Sequence, residues 1–188
     1  PYGSDGWGID MVAMLMQSLY PYINDAKYGS QVKAKLQEGY DIILGYKSAP
    51  SVDPMGSDYS FFSWGTTNSE SCAQVIVALT ALGIDPAKDS RFIKNGVSVL
   101  DALCSFAVNG GGFKHLATET SANGMATEQG FYALVAYYRL LNGQTSLYDM
   151  TDVKLEGVKA EEPVDDTDKS DDTCLLYTSP SPRDVEES

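Results

Sequence analysis

The chain has 188 residues, 26 acidic against 13 basic side chains and a net charge of −13. That balance argues against nucleic acid and anionic membrane as partners, because a polyanion repels both. No apolar run is long enough to cross a bilayer, and the length suits one domain with a sizeable core.

The charge is unevenly placed: residues 1–153 carry a net −6 and residues 154–188 a net −7. This divides the chain into a candidate domain over 1–153, an acidic linker over 154–173 and a terminal piece over 174–188. The chain opens on Pro1, and its true N-terminus is expected to lie upstream, so the lack of a targeting segment carries no information.

Taken in order, the first element is a glycine–aromatic turn, "DGWG" at 5–8, followed by "DMVAMLMQSLYPY" from Asp10. That segment is apolar nearly all round. Over 31–45, Val32, Leu36, Tyr40, Ile43 and Leu44 fall on one stripe with Lys33, Lys35, Gln37, Glu38 and Asp41 elsewhere, so an amphipathic helix with one wet face is predicted. A second turn, "FFSWG" at 61–65, introduces "NSESCAQVIVALTALG", a predicted helix over 68–82 with no polar face beyond its first turns. Over 92–107 the stripe Ile93, Val97, Leu100, Cys104 and Ala107 predicts another amphipathic helix. The turn "GGGF" at 110–113 precedes "NGMATEQGFYALVAYYRLL", predicted helical over 124–141. Asn68 and Asn123 suit N-caps; Gly45, Gly83 and Gly143 suit C-caps.

The apolar segments repeat. Asn68, Gln74, Ala78, Leu79 and Ala81 align with Asn123, Gln129, Ala133, Leu134 and Ala136 at an offset of 55. Asp10, Ala13 and Leu19 align with Glu70, Ala73 and Leu79 at an offset of 60. Helices apolar all round thus alternate with half-wet ones, the signature of stacked helical hairpins. The predicted fold is all-α, with the apolar helices inside, parallel to one another, and the striped ones outside, as in a partial α/α barrel.

The glycine–aromatic turns, "ESCAQVIVALTALG", "GGFKH" and "MATEQGFYALVAYYRL" resemble the terpenoid cyclase and protein prenyltransferase α/α toroid family, with its prenyltransferase and squalene oxidase repeats. The likeness covers residues 3–153, and is nearest to toroid domains in surface proteins of Gram-positive gut bacteria. It implies a toroid of about six hairpins when complete, so further repeats are expected upstream. It also implies an extracellular or wall-attached location. Fold does not choose function here, since toroids of this architecture include enzymes, cobalamin carriers and thioester domains.

The resemblance places a pocket where the inner helices begin. The ring-mouth residues are then Trp7, Asp10, Trp64, Glu70, Gln74, Phe113, His115, Glu128 and Gln129. For Asp10, Glu70 and Glu128 the favoured role is electrostatic, at helix N-termini. Gln74 and Gln129 sit one turn deeper, where buried amides need partners; loop backbone groups are the expected ones. The zinc site of prenyltransferases would ask for Glu70, Cys72 and a later histidine. The third apolar helix opens "NGMATEQ" without one, and His115 reads as an exposed loop residue, so no metal is expected. "CAQ" at Cys72–Gln74 is too short for a thioester motif. No catalytic residues and no cofactor are assigned. Cys72 and Cys104 fall at one height of a predicted hairpin and are expected to be buried free thiols. Tyr132, Tyr137 and Tyr138 are expected to pack.

The acidic "VDDTD" resembles the DxDD motif of class II terpene cyclases, but it lies in a charged tail where no dry pocket can form. "CLLYTSPSPRD", Cys174–Asp184, resembles the translation of a transposon-based sequencing adapter, so residues 174–188 are set aside from functional reasoning. The function expected is a non-enzymatic module of a secreted or surface protein that binds a small molecule, glycan or protein at the ring mouth. The alternatives are a terpene cyclase or prenyltransferase with its catalytic residues in missing repeats, and a cobalamin carrier.

Overall fold

The structure, a computed structural model, describes residues 8–46, 62–63, 66–149 and 151–154. All but Lys154 belong to one compact unit, Pro1–Val153. The unit is mostly helical: α1 (Gly8–Leu19), α2 (Gly29–Ile43), α3 (Ser69–Ala81), α4 (Val99–Cys104) and α5 (Gly124–Leu141). Two antiparallel pairs of two-residue strands interrupt the helices. They are β1 (Phe62–Ser63) with β2 (Thr66–Thr67), and β3 (Ile93–Lys94) with β4 (Val97–Ser98). Among the described residues no helix is long and apolar enough to cross a membrane.

Helix α3 is the centre. Every residue from Ser69 to Thr80 is buried. It packs against α1, α5 and α4, while α2 packs against α1. With no polar face, α3 gains from enclosure on every side, and the hydrophobic effect drives its neighbours onto it. The core joins Ile9, Val12 and Met16 of α1 to Val75, Ile76 and Leu79 of α3 and Ala126, Ala133 and Ala136 of α5.

The ends of the helices are set by local chemistry. Asn68 Oδ1 accepts from the Ser71 amide at 2.8 Å, and Asn123 Oδ1 accepts from the Met125 and Ala126 amides. Helix α3 closes with the Gly83 amide donating to the Thr80 carbonyl and the Ile84 amide to the Leu79 carbonyl. Helices α2 and α5 end the same way at Gly45 and Gly143. This double bond requires a left-handed residue after the helix, which glycine adopts without a Cβ penalty.

Three expectations are corrected. Among the three apolar helices described, enclosure on all sides holds for α3 but not the others: α1 leaves Met14 exposed, and α5 exposes Phe131, Val135 and Tyr138. The helix predicted over 92–107 is instead a 3₁₀ turn (Ser90–Phe92), the β3–β4 hairpin and the six-residue α4. Asn95 and Gly96 both take positive φ, 50° and 78°, the turn that an Asn-Gly pair favours between paired strands. Ser98 and Asp101 then form a reciprocal capping box that starts α4 afresh. The buried side chains are Phe92, Val99, Ala102, Leu103 and Phe106, not the predicted stripe; Val97 and Cys104 are exposed.

The cysteines follow from that shift. Neither forms a disulfide; Cys72 is buried in α3 and Cys104 exposed at the end of α4. Alkylation of the native chain followed by peptide mapping should label Cys104 and spare Cys72 until the protein is unfolded. Equal labelling of both in the native state would contradict the placement of α4.

Phe113 fixes the seat of α5. Its ring lies over Gly130, where an added Cβ would come within 2.4 Å of Phe113 Cδ2. Gly130→Ala should therefore destabilise the fold by about 1–3 kcal/mol, the usual cost of overpacking, read as a lower urea midpoint. An unchanged midpoint would mean that the ring is not held there.

Candidate functional site

The first turns of α3 and α5 and the turn between them carry the polar groups. Glu70, 7% exposed, sits in the first turn of α3. Its Oε2 meets His115 Nδ1 at 2.8 Å and accepts from Ser69 Oγ at 3.1 Å. His115 is placed by backbone bonds: the Ser69 amide donates to the His115 carbonyl, and the His115 amide donates to Glu119 Oε2 at 2.9 Å. Glu70 therefore has a specific partner in addition to the helix-terminal field expected for it. His115 is half-exposed, with Nδ1 engaged by the carboxylate.

One turn deeper, Gln74 joins three helices. Gln17 Nε2 of α1 donates to the Gln74 carbonyl at 3.2 Å and to Gln74 Oε1 at 3.3 Å. Gln74 Nε2 donates to Gln129 Oε1 of α5 at 3.1 Å and to the Tyr132 hydroxyl. The partners of the buried amide are thus side chains of the neighbouring helices, not the loop backbone groups expected. Gln74 and Gln129 are repeat equivalents, so their bond shows that α3 and α5 run side by side in matching register at this level. Burial pushes the Tyr132 phenol well above its ordinary range, helped by Tyr148, Glu128 and Asp10 nearby. The hydroxyl is therefore protonated at neutral pH.

The remaining expected site residues divide. Asp10 is half-buried in the first turn of α1, Glu128 is exposed on α5 and Gln129 is half-buried. Phe113 is 5% exposed and packs edge-on against Phe131, with centroids 6.0 Å apart, so it serves the core rather than an open mouth. Trp7 and Trp64 lie outside the described residues. Gln17 and Tyr132 were not among the expected mouth residues. Gln17 breaks the apolar run of α1, and that polar interruption is the signal that could have found it.

Among the described residues no three His, Cys, Asp or Glu side chains come together around a possible ion. A cavity of about 310 Å³ lies elsewhere, between the end of α1 and the start of α2, lined by Leu19, Tyr22, Tyr28, Gln31, Val32 and Lys35. No known protein family, no curated protein and no solved structure matches the chain.

The amide bridge has an energetic consequence. Gln74→Leu would strip Gln17 and Gln129 of shared hydrogen bonds inside a partly buried site. A loss of about 1–3 kcal/mol is expected for the polar groups left unsatisfied, measured by urea unfolding. Gln74→Leu at wild-type stability would show that the three amides are not coupled.

Proposed function

We propose that the unit 1–153 is a binding module of α/α toroid type, which engages a polar ligand or partner near the first turns of α3 and α5, where the last turn of α1 meets them. The observation that carries the reading is the Gln17–Gln74–Gln129–Tyr132 bridge. Neutral donors and acceptors from three helices meet at one level, already oriented by one another, with the Glu70–His115 pair one turn above on α3. Such an array suits recognition of a neutral polar ligand, a glycan above all, because its groups are pre-organised and lose little freedom on binding. The resemblance of the repeats to toroid domains of bacterial surface proteins supports the same reading, and with it a secreted or wall-attached setting.

The test is a binding screen of the full chain against glycans, corrinoids and prenyl diphosphates. Glycan binding without turnover is expected. His115→Ala should weaken it about tenfold, as loss of one good hydrogen bond would, while leaving the melting curve two-state. Release of diphosphate from a prenyl substrate, or tight binding of a corrinoid alone, would overturn the proposal.

A further inference from the structure

The cavity between α1 and α2 is shaped by a turn with little freedom. Tyr20–Tyr22 is a 3₁₀ turn, in which the Ile23 amide donates to the Tyr20 carbonyl. Asp25 Oδ1 then accepts from the Lys27 and Tyr28 amides at 2.8 and 2.7 Å, and the Gly29 amide donates to the Asp25 carbonyl. A Cβ on Gly29 would come within 2.8 Å of the Ile23 carbonyl oxygen, so the chain closes this tightly only with glycine there. These bonds set Tyr22 and Tyr28 on the wall of a space of about 310 Å³, with Leu19 of α1 and Val32 of α2 beside them. The walls are almost wholly apolar, yet both tyrosines are open to solvent, at 58% and 48%.

The polar groups at this cavity are cationic or neutral. Lys35 and Gln31 complete its lining, and the Lys27 ammonium lies 4.9 Å from the Tyr28 ring centroid. From Ala26 to Gln37 the chain holds three lysines, Lys27, Lys33 and Lys35, and no acidic residue, against a net charge of −13 for the whole. Lys35 also pairs with Glu38 at 2.6 Å, an exposed contact within α2 of the kind that adds little stability. An apolar space with aromatic walls and an ammonium at its edge matches a ligand with a flat apolar body and one negative charge. A sugar fits poorly, since its hydroxyls would face walls that offer them almost no partners. We propose that this cavity binds a small aromatic carboxylate, its ring against Tyr22 and Tyr28 and its carboxylate toward Lys35 and Gln31. The site goes beyond the glycan-binding reading, lies at a different place and does not depend on it.

The experiment is calorimetric titration of the full chain with 2-naphthylacetate, its amide and its ring-saturated counterpart. Saturable one-to-one binding of the aromatic carboxylate is expected, weaker in added salt because the lysine charge is screened. The amide and the saturated acid should each bind about tenfold more weakly, through loss of the charge-assisted contact in one and of ring stacking in the other. Tyr28→Leu and Lys35→Gln should each weaken the carboxylate by about the same factor. Glu38→Gln should tighten it about threefold, because Lys35 is no longer shared with a carboxylate of the chain; a Lys35 that served only to hold α2 would give no such gain. Circular dichroism and melting establish that each variant is folded; Tyr22→Leu replaces Tyr28→Leu if that one is not. No saturable binding at millimolar carboxylate overturns the proposal. So does an amide that binds as well as the acid, or binding that survives Tyr28→Leu and Lys35→Gln unchanged, which would put the acid elsewhere on the chain.

Discussion

A helix with no polar side has to be covered all the way round, and α3 is such a helix. Its residues from Val75 to Leu79 are at most 1% exposed, which is achieved only with α1, α4 and α5 placed around it. The burial of that many aliphatic side chains is the main stabilising term available to the unit. The positions of the other helices are consequences of it. Caps at Asn68 and Gly83 define where α3 starts and stops, so they also define which residues need cover.

Enclosure has a second effect, on the few polar residues that α3 carries. A buried carboxylate or amide is costly unless it finds a partner. Glu70 finds His115 and Ser69, and Gln74 finds Gln17, Gln129 and Tyr132. Apolar packing alone tolerates sliding between helices, whereas these bonds hold only at one register. The polar cluster at the candidate site is thus also what specifies the arrangement of α1, α3 and α5. Arg139 plays a similar part further along, where it is 5% exposed and bonds to Thr145 and Asp152, tying the segment after α5 back onto that helix.

The flanking helices show the limit of the same rule. Ala126, Gly130, Ala133 and Ala136 present a face of small residues on the buried side of α5, and Gly130 admits the Phe113 ring that no larger residue would. The opposite side is equally apolar in composition but faces solvent. The repeat writes similar side chains into α3 and α5, while the number of neighbours differs, so like sequences have unlike exposure.

Much of this was legible in the residues themselves. The Asn caps, the glycine C-caps, the stripe of Val32, Leu36 and Ile43 on α2 and the helical character of α1, α3 and α5 follow from local periodicity and backbone preference, which act over a few residues. The β3–β4 turn was also legible, in Asn95-Gly96, but a plausible helical period over 92–107 concealed it. The tertiary structure alone decided which side chains meet. That Gln17, in the third turn of α1, reaches Gln74, that His115 turns onto Glu70, and that Phe113 enters the core depend on how helices far apart in the chain lie against each other. Sequence determines what each helix has to bury, because that is a property of its own residues. Which partner satisfies a buried polar group is a property of register between helices, and no single stretch of the chain contains it.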